Sequence, residues 1–148
     1  MSTPRLALCP TGKLTIESCW NTQRFVKLWY VPLIMLKYLQ GATAEILLFG
    51  ATVISWKTAE KGGSRDPIER LFLSSKAALD GSKAVRGGIP VVFPCFGPPE
   101  HPDHSKLPQH GFARNELWAF DGVVMDSDAG VSVRLSAHRV HLRQWVPG

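Results

Sequence analysis

From residue 44 onward the apolar and polar positions fall into short runs, and that spacing predicts strands joined by frequent turns. EILLFGATVISW at 45–56 is rich in β-branched and aromatic residues, with Gly50 at its centre as a bulge or bend, so it reads as two strand pieces. Residues 58–69 are polar and carry Gly62, Gly63, Ser64 and Pro67, a composition that predicts a hairpin loop. Residues 71–73 would be the returning strand. Ser74 or Ser75 is placed to cap a short helical turn over 76–79, stopped by Asp80 and Gly81. Further on, 116–124 and 131–135 alternate well enough to predict two more strands around a turn at 125–130. The expected fold class is therefore mainly β, a sandwich with few short helical turns.

The two ends read differently. Residues 1–18 suggest a leader and a short strand with a turn at Pro10, Thr11 and Gly12; the apolar run between Arg5 and Pro10 is too short for a secretory signal. WYVPLIML at 29–36, flanked by Lys27 and Lys37, is shorter than the roughly 20 residues needed to cross a bilayer and predicts a buried or interfacial helix broken at Pro32. The tail at 136–148, SAHRVHLRQWVPG, is basic and completes no evident strand pairing. The expected organisation is an atypical segment with an insertion at 1–43, sandwich at 44–135 and an unrelated tail at 136–148.

Composition narrows the partners. The 148 residues are 45% hydrophobic and 20% charged, an ordinary globular balance. A net charge of +5 favours anionic partners, phosphorylated metabolites or, less specifically, nucleic acid. Cys9, Cys19 and Cys95 form no CxxC pair and leave one thiol over in any disulfide scheme, which argues against a disulfide scaffold or a cysteine zinc site and for a reducing, cytoplasmic setting.

The chemistry concentrates in 80–115, DGSKAVRGGIPVVFPCFGPPEHPDHSKLPQHGFARN. Arg86 precedes a glycine pair, Gln109 and His110 precede Gly111, and Arg114 follows three residues later, so each polar side chain sits beside backbone able to turn sharply. These groups could grip an anion or a polyol. The apolar run at 89–96 would anchor that edge as an extended segment, and Pro90 and Pro94 argue against a central strand. Each residue also has a bland reading: a solvated arginine, a hydrogen-bonded loop histidine. His101 and His104 lie in a proline-rich loop with no second ligand cluster, so no metal site is expected there or at His138 and His141. A single RGG does not make an RNA-binding tract. The five tryptophans read as packing residues, with Trp118 near enough to the loop to contribute.

The run LDGSKAVRGGIPVVFPCFGPP, followed by LPQHGFARN and Trp118, resembles the aldose 1-epimerase superfamily and, within it, the fungal-type glucose-6-phosphate 1-epimerases, or hexose-6-phosphate mutarotases. The likeness extends upstream through ILLFGATVISWK and LFLSSKAALDGSK and covers about 44–133, the N-terminal half of such a chain. The resemblance implies part of a galactose mutarotase-like β-sandwich and a cofactor-free interconversion of α and β hexose 6-phosphate. It matches Arg86 and Arg114 to phosphate-binding arginines, Gln109 to a substrate-binding glutamine, and His110 to an auxiliary histidine near the sugar. In the family the principal acid His and base Glu lie downstream of the HGFARN-like motif, in segments with no match here. Two readings stay open: a mutarotase, or a truncated sugar-phosphate-binding remnant without catalysis. The expected partner is a hexose 6-phosphate, with no nucleic acid or membrane role, and exposed sheet edges that favour self-association.

Overall fold

The computed structural model describes residues 31–38, 41–59 and 66–137. They are mainly β. Strands β1 (Leu33–Lys37), β2 (Thr43–Leu47), β3 (Thr52–Thr58) and β4 (Ile68–Glu69) form one antiparallel sheet in the order β1–β2–β3–β4, and β5 (Trp118–Ser127) pairs with β6 (Gly130–Ala137) as a separate hairpin. The remaining regular structure is two 3₁₀ turns, Pro102–His104 and Ala113–Asn115. No helix among the described residues is long and apolar enough to cross a membrane.

The apolar run at 46–48 is continuous because the first sheet is covered on both faces. Successive residues of a strand point to opposite sides, so Ile46 and Leu48 join Ile34 in one core, packed against Phe120, Val133 and Leu135 of the β5–β6 hairpin. Leu47 points the other way and joins Ile54 and Val85, with Leu73 and Ala77 of the following loop against them. Each buried aliphatic side chain contributes about 1.5–3 kcal/mol. A register shift between Glu45 and Ile46 leaves Ile54 as the extra residue of β3, while Gly50 sits in the turn between β2 and β3 rather than in the bulge.

Several sequence expectations are corrected. The helix expected around Pro32 is strand β1, pairing Leu33 with Leu47 through to Lys37 with Thr43. Its successive residues Leu33 and Ile34 feed opposite cores, a demand of period two that a helix would not meet. The returning strand is Ile68–Glu69, not 71–73. Glu69 shapes the corner beyond it: its Oε1 accepts the backbone N–H groups of Trp56 (2.9 Å), Arg70 (3.0 Å) and Leu71 (2.9 Å), so the Trp56 donor goes to a side chain, while Arg70 N also keeps one cross-strand bond to Trp56 O (2.8 Å). Residues 76–79 form no helix. Ser74 does hold the turn there, accepting from Ala77 N at its carbonyl (2.9 Å) and from Lys76 N at its hydroxyl (3.2 Å). The last two strands appear as expected but run longer, and their loop shrinks to Asp128 and Ala129.

Candidate substrate-binding loop

Residues 70–117 contain little regular structure and are held by isolated bridges, Leu73 to Gly87, Val53 to Ile89, Phe93 to Gly111 and Phe49 to Leu117. Arg86 stands at the first of these. Its carbonyl accepts from Ser74 N (3.0 Å), Gly88 N donates to Phe72 O (2.8 Å), and Ile89 exchanges both backbone hydrogen bonds with Val53 of β3 (3.0 and 2.8 Å). That two-sided clasp explains the glycine pair. A Cβ on Gly88 would lie 2.2 Å from Val53 O, so the backbones could not approach as they do with a larger residue. The Arg86 side chain is left exposed at the edge of this clasp.

The second half of the loop is pinned at Phe93. Phe93 O accepts from Phe112 N (3.0 Å), and a Cβ on Gly111, whose φ is 74°, would fall 2.0 Å from that same oxygen. Backbone contact this close makes Gly111 a requirement of the geometry. His110 is also left-handed, at φ 68°, a conformation uncommon for non-glycine residues. It is held there by two bonds to one residue: His110 N donates to Gly97 O (2.7 Å) and Gly97 N donates to His110 Nδ1 (2.9 Å). Accepting at Nδ1 leaves Nε2 as the protonated nitrogen of a neutral ring. The Phe96 ring lies 5.0 Å from the imidazole, tilted by 56°.

Arg114 occupies the 3₁₀ turn Ala113–Asn115. Its Nη2 donates to Gln109 O (2.9 Å), while its Nε is buried with no hydrogen-bond partner. A guanidinium carries five donors, and a buried one without an acceptor costs about 1–3 kcal/mol, so the Arg114 Nε–H is an unmet donor among the described residues, as Thr52 Oγ1 and Asp126 Oδ1 are unmet polar atoms elsewhere. Trp118 fixes the turn from below, donating Nε1–H to Ala113 O (3.0 Å) and packing with Leu107, Phe112 and Ala113. It is a structural residue here.

The two arginine segments meet on one stretch of chain. Val53 holds Ile89, and three residues earlier Gly50 N donates to Glu116 O (2.7 Å) while the Arg114 carbonyl packs against Gly50. Residues 50–53 thus contact both segments, at Ile89 three residues after Arg86 and at the backbone of Arg114 and Glu116. Arg114 is hydrogen-bonded to the Gln109 carbonyl, and His110, the next residue along, is bonded to Gly97; among the described residues no hydrogen bond joins the Arg86 side chain to these three. His101 and His104 lie with ring centroids 5.6 Å apart and planes tilted by 53°, and among the described residues no group of three or more His, Cys, Asp or Glu could hold a metal. His138 and His141 lie outside the described residues. Sequence reasoning missed Gly97 and Phe96 as partners of His110. The only signal for them was the Phe-Gly pair closing the apolar run, which does not by itself say which loop it will meet.

The sequence matches the aldose 1-epimerase family over residues 32–146. The chain belongs to that family. The match reaches into both end segments that the sequence pattern had set apart, and it includes β1. A Cenchrus ciliaris protein provisionally named glucose-6-phosphate 1-epimerase is 46% identical over 88 residues, 60% of this chain and 23% of that protein. The Escherichia coli (strain K12) protein of the same provisional name is 39% identical over 85 residues, 57% of this chain and 26% of that one. Among solved structures, a Salmonella typhimurium protein provisionally described as a mutarotase superposes with a TM-score of 0.62 at 27% identity, over 91% of this chain and 43% of that one. The Slr1438 protein of Synechocystis sp. PCC 6803 gives 0.51 at 29% identity, over 68% and 35%. The aligned part of this aldose 1-epimerase family chain therefore spans about a quarter of the curated relatives and less than half of the solved mutarotase.

Proposed function

We propose that this chain supplies the sugar-phosphate-binding loop of a hexose-6-phosphate mutarotase, with glucose 6-phosphate as substrate. The observation that carries the proposal is the shared anchorage of the Arg86 and Arg114 segments on residues 50–53, with the Arg114 Nε buried and lacking an acceptor. Two arginines on segments tied to the same stretch of chain suit a phosphate, because each planar fork can make paired, charge-assisted bonds to its oxygens. Gln109, exposed beside them, offers a neutral donor and acceptor to a hydroxyl or a phosphate oxygen. The provisional names of the relatives, glucose-6-phosphate 1-epimerase, support the same substrate.

The reaction needs no cofactor. A base takes the proton of the C1 hydroxyl, an acid protonates the ring oxygen, and the C1–O5 bond breaks to give the open aldehyde. Rotation about C1–C2 and closure with the opposite proton transfers yields the other anomer. Within this scheme His110 is an auxiliary: its Nδ1 accepts from Gly97 N–H, which leaves its Nε2–H to donate to a sugar oxygen.

A second reading concerns the 148 residues on their own. The match covers 23–26% of the curated relatives, and the resemblance puts the principal acid and base in segments unmatched here. The isolated polypeptide is then a binder without turnover, with sheet edges that promote self-association. One experiment separates the readings: α/β exchange of glucose 6-phosphate, followed by magnetisation-transfer NMR with and without the chain and its Arg86→Ala variant. Exchange above the buffer rate that disappears in the variant establishes catalysis. Binding without added exchange establishes the second reading, and neither binding nor exchange refutes the sugar-phosphate assignment altogether.

A further inference from the structure

Four large apolar side chains around the arginine loop are turned outward: Phe72 at 77% exposure, Ile89 at 50%, Phe93 at 55% and Phe96 at 85%. Phe96 differs from the others in what fixes it. The next residue, Gly97, makes both of the hydrogen bonds that hold His110 in its left-handed conformation, so the chain position of Phe96 is tied to the His110 imidazole through a two-bond clasp. The ring centroids lie 5.0 Å apart with the planes tilted by 56°, and Phe96 stays largely exposed despite the contact. Val91 and Cys95 of the same run turn inward onto Leu107, Phe112 and Ala113, which holds the run in place while Phe96 projects from it.

We infer that Phe96 is a specificity residue of the proposed site, an aromatic platform for the C–H face of the sugar ring, acting beside the His110 imidazole. The inference rests on the sugar-phosphate reading above and adds to it the group that recognises the sugar as distinct from the phosphate. Binding sites for small ligands combine a few placed polar groups with apolar and aromatic walls. The polar part of this loop is supplied by Arg86, Gln109 and Arg114, which answer to phosphate and hydroxyl oxygens alike. None of them distinguishes a pyranose from a bare anion. A pyranose also presents a patch of C–H bonds, and a phenyl face, negative at its centre, attracts those hydrogens while the two surfaces exclude water. Phe96 is the most exposed of the large apolar residues among those described, and it is the one in ring contact with a residue of the candidate site.

The test is a pair of titrations on the full 148-residue chain, one with inorganic phosphate and one with glucose 6-phosphate, in the unsubstituted protein and in Phe96→Ala and Phe96→Tyr, each by calorimetry. Because Phe96 is exposed, truncation leaves the buried cores intact, and circular dichroism of each variant confirms it. Phe96→Ala is expected to weaken glucose 6-phosphate binding about tenfold and to leave phosphate binding unchanged, while Phe96→Tyr, which keeps the ring face, stays within about twofold of the parent. Equal glucose 6-phosphate affinity in the parent and Phe96→Ala overturns the platform and leaves the phosphate reading standing. A parallel loss of affinity for both ligands also overturns it, since it shows a general disturbance of the loop. A Phe96→Ala protein that changes its sedimentation but not its affinities identifies Phe96 as an association contact and overturns the platform too. If the parent chain binds neither ligand, the sugar-phosphate reading fails first and the platform with it.

Discussion

The loop at 80–115 and the β5–β6 hairpin are made by opposite means. The hairpin is a long antiparallel ladder from Trp118 paired with Ala137 to Ser127 paired with Gly130, interrupted by register shifts between Phe120 and Gly122 and between Val123 and Met125, in which most residues are placed by cross-strand partners. The loop has no ladder. It is set by a few contacts at single residues, where one carbonyl oxygen, Phe93 O or Val53 O, meets backbone that admits no Cβ. A ladder distributes its stability over many small terms, so single substitutions perturb it modestly. A loop built on a few points concentrates the consequences of each, and those points are where the candidate site lies.

The largest expected effect comes from breaking one such point. Gly111→Ala would place a Cβ 2.0 Å from Phe93 O in a left-handed conformation, and backbone cannot yield as a side-chain tip would. A loss of about 3–5 kcal/mol in urea unfolding is expected. The matched control is Gly122→Ala in β5, where φ is also positive but nothing lies within 4 Å of the added carbon, and the cost should be about 1 kcal/mol of backbone strain alone. Equal effects at the two sites would mean that the loop is not point-supported.

Binding should separate from stability at the arginines. Arg86 is exposed and its backbone, not its side chain, ties the loop to Ser74. Arg86→Ala should therefore change unfolding free energy by less than about 0.5 kcal/mol while weakening phosphate binding roughly 10- to 100-fold, the range of a lost charge-assisted contact. Arg114→Lys keeps the charge and loses the fork; it should weaken binding several-fold and also disturb Gln109, whose carbonyl the Arg114 guanidinium holds.

The same contrast explains what could be read from the chain. Alternation predicts the β5 and β6 strands because a half-buried ladder imposes period two, and it places both within a few residues of their observed bounds. It fails at β1, where Pro32 and a dense apolar run suggested a helix; a strand buried on both faces has no polar positions to reveal its period. The loop shows no periodicity at all. Its composition marks Arg86, Gln109, His110 and Arg114 as candidates, but their support from Val53, Gly50 and Gly97 depends on contacts across the fold that no local pattern encodes. Residues 71–73 leave β3 after Glu69, whose side chain bonds the backbone N–H groups of Arg70 and Leu71, and Leu73 bridges Gly87 instead, a partner that no local pattern names.

Glu69 stands between the two modes, shaping the corner beyond a ladder with a side chain. Burial pushes its pKa up, but the Ser55 hydroxyl at 2.5 Å and the N–H groups of Trp56, Leu71 and Arg70 outweigh that and hold the carboxyl down to about 2, from an ordinary 4.5. A depressed folded-state pKa stabilises the fold above the unfolded value, so the contribution is complete above about pH 4.5 and is lost as pH falls toward 2. Because Glu69 is exposed, solvent screening reduces the effect to about 1 kcal/mol. Thermal unfolding followed from pH 6 down should show a fall in this window that is smaller in Glu69→Gln. Parallel curves for the two proteins would show that the carboxylate is not what closes the corner.

The smallest effect on folding is expected in the hairpin, at Val124. The pairing passes from Val123 with Val133 directly to Met125 with Ser132, so Val124 is the extra residue of a bulge, unpaired across the ribbon and 58% exposed between exposed Val123 and Met125. Val124→Lys removes no core contact and no ladder bond, and its unfolding free energy should stay within about 0.5 kcal/mol of the parent. Its effect should fall on association instead. An exposed apolar stretch on a strand favours pairing with another copy, and a lysine there opposes it. Sedimentation velocity at rising protein concentration should show the parent shifting to larger species and Val124→Lys shifting less. A variant that loses more than 1 kcal/mol would show that the bulge carries packing after all, and an unchanged sedimentation profile would move the search for an association surface from the ladder to the apolar rim of the loop.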